Sequence, residues 1–300
     1  MFDSQSGHAE TTSPLSITVE EIFGVFPDLV FVLNQDDIIT EFRAGNAHDL
    51  YVPPEQFLGQ SMCKVLPIEA ASKISVGLEK ACIDGDIELV EYRLIVQDTM
   101  KWFEARISKP SANRYIMLVR DVTEHKSKEA HILYQATHDH LTGLYNRAFA
   151  FDFIDKKLQE AQRQQTTTAL LFVDLDNFKT VNDTLGHDIG DDVIKAAAKA
   201  IKHSVREQDL VSRIGGDEFL VAIVGHLSVD NIRELAEKLK RKMSTFAKSI
   251  CQDIEVSASI GVAFCDNGEL SVSELIKRAD TAMYRNKSSE NGSIEFYTAE

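Results

Sequence analysis

The chain has 300 residues, of which 44% are hydrophobic and 26% charged, and this length predicts two globular domains rather than one. Its 32 basic residues against 47 acidic residues give a net charge of −15, which disfavours binding to nucleic acid or to an anionic membrane. Any site for an anionic ligand must therefore be built locally, from metal ions and a few cations.

Cysteine usage and the N-terminus favour a soluble, cytoplasmic protein. The four cysteines lack the spacing of a metal site, and no disulfide framework is indicated. Residues 1–15 are polar and acidic, contain neither the basic nor the apolar region of a secretion signal, and are expected to be disordered. No later apolar run approaches the ~18 residues that a membrane span needs, so membrane insertion is not expected.

Residues 16–123 have the pattern of an α+β domain. Runs rich in β-branched and aromatic residues predict strands, with short helical stretches between them. The predicted strands lie near Leu29–Leu33, Glu88–Val96, Lys101–Ile107 and Tyr115–Arg120. Because the last three come close together, we expect an antiparallel meander packed on a layer of helices.

Residues 124–137 are predicted to form a connector helix. Charged residues there surround Ala130, Leu133, Tyr134 and Thr137 at helical spacing. One interpretation is a signalling helix whose apolar stripe forms a short parallel coiled coil in a dimer. The other is a solvated linker helix packed on its own domain, and the sequence leaves both open.

From residue 138 to residue 300 the pattern becomes helix, strand, helix, helix, hairpin, helix, strand, helix and strand. This order predicts a mixed sheet flanked by helices. The clearest strands are Thr168–Leu175, Phe219–Val224 and Val256–Phe264, and the clearest helices are Val193–Val205, Val229–Phe246 and Val272–Lys287.

Two acidic features lie at the ends of predicted strands in this half. Asp174 and Asp176 end the first strand, and an alternating strand would point both carboxylates the same way. Such carboxylates can hold a metal ion, but they also serve as helix N-caps, so alone they indicate a metal site only weakly.

In RIGGDEF, at Arg213–Phe219, two glycines permit a tight hairpin that presents Asp217 and Glu218 at its tip. Carboxylates that converge from separate elements are what metal-assisted phosphoryl transfer requires.

With four further motifs in order, residues 139–297 resemble a GGDEF-domain diguanylate cyclase. The resemblance implies a palm-like, ferredoxin-related α/β fold and condensation of two GTP molecules into cyclic di-GMP and two pyrophosphates. The further motifs are DHLTGLYNR at Asp139–Arg147, DLDNFKTVNDTLGHDIGDDV at Asp174–Val193, SASIGVA at Ser257–Ala263 and ADTAMYRNK at Ala279–Lys287.

The resemblance implies a site for Mg²⁺, with Mn²⁺ as an alternative ion. Asp174 and Asp217 match the metal-binding carboxylates of the family, and the carbonyl of Leu175 matches a further ligand. Glu218 matches a residue that assists deprotonation of the ribose 3′-hydroxyl or helps to hold a metal, and it is expected to act with Asp217 in catalysis.

The resemblance also implies which residues bind GTP. Asn182 and Asp191 fall where the family contacts the guanine edge, and a carboxylate suits the N1–H and N2–H₂ donors of guanine. Lys287 matches a lysine that contacts the phosphates, and Lys179 lies close enough to the first metal carboxylate to help. Without the resemblance, both lysines would be interpreted as solvated surface residues.

The sequence departs from the family pattern just after Lys287. The family commonly continues with two variable residues and then Gly-Arg-Asn, whereas KSSENG places Glu290 and Asn291 where glycine and arginine are expected. A phosphate-contacting arginine is then missing. Its loss is expected to raise the KM for GTP or to slow turnover without abolishing activity.

REQD at Arg206–Asp209 resembles the family's RxxD product-inhibition motif. Arg206 and Asp209 are therefore expected to bind cyclic di-GMP at an allosteric site, although a four-residue pattern at a charged helix end is otherwise common. Each domain of this family holds one GTP, so the two phosphodiester bonds imply a homodimer with facing sites.

The N-terminal half resembles a PAS sensor domain. The resemblance rests on FPDLVFVLNQDDIITEF at Phe26–Phe42, FLGQS at Phe57–Ser61 and RDVTEHK at Arg120–Lys126. Its ligand cannot be identified from the sequence: Cys63 lacks the context of a flavin-adduct cysteine, and Trp102 is more often a core residue than a cofactor contact.

Two other functions compete with a cyclase. The chain could be a non-catalytic receptor for GTP or cyclic di-GMP, which the missing Gly-Arg pair favours and the intact acidic set disfavours. It could also be a structural dimerisation protein, which would leave the converging carboxylates unexplained. No region resembling an EAL-type phosphodiesterase is present, so a bifunctional enzyme is not expected.

Overall fold

The computed structural model describes residues 28–44, 50–251, 253–287 and 292–298, and for residues 286 and 287 it describes the backbone alone. The expected disorder of residues 1–15 lies outside this range. The chain divides into two compact units that meet between Ala130 and His131. Among the described residues, no helix is both long and apolar enough to cross a bilayer.

The first unit is an antiparallel sheet with a layer of helices. Its five strands are arranged in the order β2-β1-β5-β4-β3, and β3, β4 and β5 form the expected meander. The strands are β1 (Leu29–Asn34), β2 (Ile39–Ala44), β3 (Glu88–Val96), β4 (Thr99–Ser111) and β5 (Arg114–Asp121), and the helices are α1 (Pro54–Phe57), α2 (Met62–Val65) and α3 (Ile68–Asp84).

One face of this sheet forms the core of the first unit. Along β3, Tyr92, Leu94 and Val96 are buried while the residues between them are exposed, as the two-residue period of a strand requires. Ile74 and Leu78 of α3 belong to the same buried cluster. The buried face of β3 therefore points toward α3, and its other face is exposed.

The connector helix α4 (Thr123–Thr137) follows β5 directly. Its first turn is fixed by two hydrogen bonds, from the backbone N–H of Thr123 to Asp121 Oδ1 and from the backbone N–H of Trp102 to Thr123 Oγ1, both 2.9 Å long. All fifteen residues of α4 are described and none is buried. Ile132 and Leu133 are 65% and 66% exposed, so the described residues leave the apolar side of the helix uncovered.

The second unit is a mixed sheet between two layers of helices. Its strand order is β10-β9-β6-β8-β7, in which only the pair of β10 and β9 is parallel. The strands are β6 (Thr167–Asp176), β7 (Leu210–Gly215), β8 (Glu218–Gly225), β9 (Ser257–Asp266) and β10 (Ile294–Phe296), and the helices are α5 (Arg147–Gln164), α6 (Phe178–Leu185), α7 (His187–Lys202), α8 (Val229–Ile250) and α9 (Val272–Lys287).

The central strand β6 is apolar because both of its faces are covered. Val173 belongs to a core shared with α7 and α8, whereas Leu170 and Phe172 belong to a second core shared with α5 and α9. The helix and strand order expected from the sequence is confirmed. The end of β6 is therefore a rigid platform for the acidic residues that follow its apolar run.

Candidate nucleotide and metal site

The β7–β8 hairpin carries the predicted acidic turn to the end of β6. Gly216 has φ 51°, a left-handed conformation that glycine adopts without strain, and Asp217 follows it in the turn. The backbone N–H of Leu175 donates to the carbonyl oxygen of Asp217 across 3.3 Å. The hairpin tip is thereby fastened to β6.

Four of the predicted site residues meet at this point. Asp174 lies directly opposite Glu218 in the pairing of β6 with β8, and Leu175 and Asp217 are joined by the hydrogen bond just described. Asp174 is only 6% exposed, whereas Asp217 and Glu218 are half-buried. A deeply placed carboxylate is thus bordered by two that solvent and ligand can reach.

The donors at this point suit a hard cation. Carboxylate and carbonyl oxygens are the ligands that Mg²⁺ prefers, and Mg²⁺ is commonly held by one or two carboxylates with phosphate and water completing its shell. Among the described residues, no three acidic, histidine or cysteine side chains form a metal cluster on their own. The oxygen donors of Asp174, Asp217 and Leu175 are nevertheless of the kind that Mg²⁺ accepts.

The second carboxylate of β6 has a different role from the first. Asp176 is buried and accepts hydrogen bonds from the hydroxyls of Ser257 and Ser259, 2.6 and 2.7 Å long, and from the backbone N–H of Gly292, 2.8 Å long. These bonds fasten β9 and the segment before β10 to the central strand. The sequence pairs Asp176 with Asp174, and the structure gives Asp176 hydrogen-bond partners on β9 and before β10.

The predicted guanine-binding residues lie on α6 and α7. Gly186, with φ 87°, separates the two helices, and both Asn182 and Asp191 are half-buried. A Cβ atom at Gly190 would lie 1.9 Å from Asn182 Oδ1, so the amide of Asn182 crosses the first turn of α7 beside Asp191. The two residues are thus brought close together in the fold, although they lie on different helices.

Of the two predicted phosphate-binding lysines, the structure describes the side chain of Lys179 alone. Lys179 is exposed on α6, at the same end of the unit as Asp174. The side chain of Lys287 lies outside the described residues, as do Glu290 and Asn291, where the sequence departs from the family pattern.

The predicted product site forms a tight turn before β7. The backbone N–H of Arg206 donates to Asp209 Oδ2 across 2.8 Å, and the backbone N–H of Asp209 donates to the carbonyl oxygen of Arg206 across 3.1 Å. Asp209 is 8% exposed, while the side chain of Arg206 is exposed. Asp209 therefore shapes the turn from which Arg206 projects.

Sequence reasoning missed the support beneath the acidic turn. Arg213 donates from Nε and Nη2 to the carbonyl oxygen of Gly216, 2.9 and 2.8 Å away, and from Nη1 to both oxygens of Asp139, 3.1 and 3.3 Å away. Burial alone would raise the pKa of Asp139, but hydrogen bonds from Thr142 and Arg213 outweigh it and hold the pKa below its ordinary value. The signal was the DHLTGLYNR motif, which was recognised but given no role.

A line of aromatic rings connects the end of α4 to α5. The ring of Tyr134 stacks on His138 at 4.0 Å, and the ring of Tyr145 stacks on Phe149 at 4.1 Å, with His138 and Tyr145 4.8 Å apart. Asn146 adds two hydrogen bonds to the end of α4, from its side chain to Ala136 O and from its backbone to Thr137 O. Tyr145 O in turn accepts from the backbone N–H of Arg213, so these contacts lead to the support of the acidic turn.

Comparison with known proteins matches residues 136–293 to the family described as "Diguanylate cyclase, GGDEF domain". The chain is 40% identical over 152 residues to the bifunctional diguanylate cyclase/cyclic di-GMP phosphodiesterase MucR of Pseudomonas aeruginosa, covering 51% of this chain and 22% of MucR. It is 36% identical over 169 residues to the diguanylate cyclase TpbB of the same species, covering 56% of this chain and 39% of TpbB. An uncharacterised protein of Mycobacterium tuberculosis is 31% identical over 235 residues, covering 78% of this chain and 36% of that protein. The chain thus spans well under half the length of these curated relatives.

Solved structures share the fold of the second unit. The coiled coil and GGDEF domain of DgcB from Caulobacter crescentus, in complex with c-di-GMP, superposes with a TM-score of 0.53 at 26% identity, covering 58% of this chain and 93% of that one. The diguanylate cyclase SiaD of Pseudomonas aeruginosa, in complex with its activator SiaC, superposes with a TM-score of 0.51 at 31% identity, covering 58% of this chain and 66% of that one.

Proposed function

The chain belongs to the GGDEF-domain family, and on that premise we propose that its second unit is a diguanylate cyclase that condenses two GTP molecules into cyclic di-GMP and two pyrophosphates. The observation that carries the proposal is the meeting of Asp174, Asp217 and Glu218 at the end of β6. Two separate elements, a central strand and a hairpin turn, supply these carboxylates. The chain carries a net charge of −15, so an acidic site in it would bind a negatively charged nucleoside triphosphate through a metal cation.

The proposed cofactor is Mg²⁺, with Mn²⁺ as an alternative. Asp174, Asp217 and the carbonyl of Leu175 would hold the ion, which supplies neutralisation of the triphosphate charge when bound. Glu218 is half-buried beside Asp174, and we assign to it the proton of the ribose 3′-hydroxyl. The deprotonated oxygen attacks the α-phosphate of the second nucleotide, and pyrophosphate leaves.

The choice of GTP rests on the α6–α7 corner. Asp191 would accept from the N1–H and N2–H₂ groups of guanine, and the amide of Asn182 would serve its acceptor edge. Adenine lacks the N2–H₂ group, so it would leave the Asp191 carboxylate with fewer donors. Lys179 and Lys287 are assigned to the phosphates, where each would offset part of the ligand's negative charge.

The proposed enzyme works as a homodimer. One site holds one GTP, so two 3′-hydroxyl attacks require two sites that face each other. The exposed apolar side of α4 supports this assignment, because Leu133 and Ile132 would be covered by a second copy of the helix.

The proposed regulation has two parts. Residues 16–123 are assigned to a PAS-like sensor of unidentified ligand, residues 124–137 to the signalling helix and residues 138–300 to the cyclase domain. Arg206 and Asp209 are assigned to a product-binding site that restrains the enzyme. Four unpaired cysteines, together with GTP as substrate, support the expected cytoplasmic location.

The first test is turnover of GTP by the purified chain. With GTP and Mg²⁺, chromatography should resolve cyclic di-GMP and pyrophosphate as products. Asp217→Asn keeps the size of the side chain but removes its charge, so turnover should fall by at least about a hundredfold. Calorimetry in the presence of Mg²⁺ measures separately whether the wild-type chain and the variant bind GTP.

The matched control is Asp192→Asn, because Asp192 is exposed on α7 and pairs only with Lys195 on the same surface. It should keep turnover within about twofold. Wild-type protein that binds GTP but forms no product at high concentration would identify a non-catalytic receptor. Full turnover by Asp217→Asn would refute the metal assignment.

A further inference from the structure

Cys82, Lys109 and Tyr115 form a cluster on the first unit, whereas the residues of the proposed active site all belong to the second. They come from three elements, α3, β4 and β5, which the fold brings together. Lys109 Nζ lies 2.8 Å from Cys82 Sγ and 5.0 Å from the centre of the Tyr115 ring. Cys82 is exposed, whereas Tyr115 is only 7% exposed and forms the floor of the cluster.

The contacts favour the thiolate form of Cys82. The hydrogen bond from Lys109 and a second one from Tyr115 lower the pKa of the Cys82 thiol, while the same contact with Cys82 raises the pKa of Lys109. Both directions follow from the same contact, in which each group favours the charged form of the other. Cys82 lies in the last turn of α3, where the helix dipole opposes a negative charge. The lower pKa of the thiol is therefore due to Lys109 and not to the helix.

The other cysteines provide a contrast within the same chain. Cys63 is half-buried, and burial together with the neighbouring Asp37 raises its pKa to about 12. Cys251 is buried, burial raises its pKa, and its thiol donates to the carbonyl oxygen of Ala247. Cys265 is buried as well. Exposure and a cationic neighbour therefore coincide at Cys82 alone among the four cysteines, all of which the structure describes.

We propose that Cys82 is a redox-modification site, oxidised by hydrogen peroxide to a sulfenic acid with Lys109 as the positioning residue and proton donor. The thiolate sulfur attacks one peroxide oxygen, an S–O bond forms and the O–O bond breaks. The leaving hydroxide takes a proton from the Lys109 ammonium and becomes water. The sulfur is oxidised, the peroxide is reduced, and Lys109 regains its proton from solvent.

Oxidation changes the contacts of the cluster. A sulfenic acid is neutral at pH 7, so the charge-assisted contact between Cys82 and Lys109, which ties the end of α3 to β4, is weakened. Lys109 keeps its contacts with Tyr115, which is the second residue of β5. Since β5 continues into α4, the change begins on the strand that precedes the connector helix.

The test uses the full chain treated with hydrogen peroxide, with dimedone to trap sulfenic acid and peptide mass spectrometry to locate it. We expect the adduct on Cys82 before any other cysteine, and Cys82→Ser should remove it. The rate at which iodoacetamide alkylates Cys82 at pH 7 gives a second measure of the reactivity of this thiol. An ordinary thiol is only about 3% thiolate at pH 7, so Lys109→Met should slow alkylation of Cys82 by at least about threefold.

Two further variants separate a specific ion pair from general surface charge. Lys80→Met removes the same charge from an exposed position on α3, and it should leave the rate at Cys82 unchanged. Lys109→Arg retains a cation and should restore most of the rate, while circular dichroism checks the fold of each variant. Labelling of Cys63 as fast as Cys82, or an unchanged rate in folded Lys109→Met, would overturn the proposal.

Discussion

Arg213 shows how one side chain can organise a site without contacting a ligand. Its guanidinium joins the carbonyl oxygen of Gly216 in the acidic turn to the carboxylate of Asp139. The planar fork of arginine suits this bridge, since it offers donors in several directions at fixed angles. Methionine in its place would fill similar space but leave both acceptors without these donors.

We therefore expect Arg213→Met to lower turnover about tenfold, because Asp217 loses its fixed position, while GTP binding weakens less. Folding stability should also fall, by about 1–3 kcal/mol, since the half-buried Asp139 carboxylate loses its charged partner. Steady-state kinetics and urea unfolding at pH 7 measure the two effects.

The pH dependence of stability distinguishes this ion pair from simple packing. The pKa of Asp139 is depressed in the folded chain, so its contribution is present above the unfolded value of about 3.9 and is lost as the pH falls through the folded value. The stability difference between wild type and Arg213→Met should thus shrink below about pH 4. Arg278→Met, which removes a surface pair with Glu274, serves as the control. A difference that persists unchanged in acid would contradict the assignment.

At the scale of secondary structure, periodicity predicted the helices and strands but not every contact between them. The apolar run of β6 and the glycine pair of the hairpin are local features, and both were interpreted correctly. The role of Asp176 was not predictable in this way, because its partner Ser257 is 81 residues away in the sequence. A strand sequence shows which residues share a face, whereas the hydroxyls on the neighbouring strand become visible only once the strands pair.

Asp176→Ala should accordingly destabilise the chain rather than disable its chemistry. Three donors, two of them buried, lose their acceptor, which should cost about 2–4 kcal/mol in urea unfolding. Asp266→Ala is a matched control on β9, since Asp266 is exposed and its side chain accepts one hydrogen bond, from Thr167. It should cost less than about 1 kcal/mol. Equal costs for the two variants would show that the buried network contributes little.

At the scale of the whole molecule, the net charge of the chain and the exposed apolar side of α4 have opposite effects on the association of two chains. Each chain carries a net charge of −15, so two chains repel, and salt should favour their association. The apolar side chains of α4 offer the opposing attraction. The sequence left open whether α4 packs on its own domain, and none of its fifteen residues is buried by the described part of the chain.

Leu133→Glu should make activity depend more steeply on protein concentration. The added charge falls on the apolar side of α4, so specific activity should drop at least about fivefold at low concentration and recover as concentration rises. Gln135→Glu adds the same charge at an exposed polar position of the same helix, and it should have little effect. Sedimentation measures the dimer directly. Equal losses in the two variants would assign the effect to charge alone.

The stacked rings between α4 and α5 make a contact that resists some displacements of α4 more than others. Parallel aromatic faces such as those of Tyr134 and His138 can slide sideways by a fraction of a ring width at little cost, because offset stacking is itself favourable. The hydrogen bonds from Asn146 to Ala136 and Thr137 resist a pull along the helix. We therefore expect a displacement of α4 along its axis, more than one across it, to reach Tyr145, whose carbonyl oxygen accepts from the backbone N–H of Arg213.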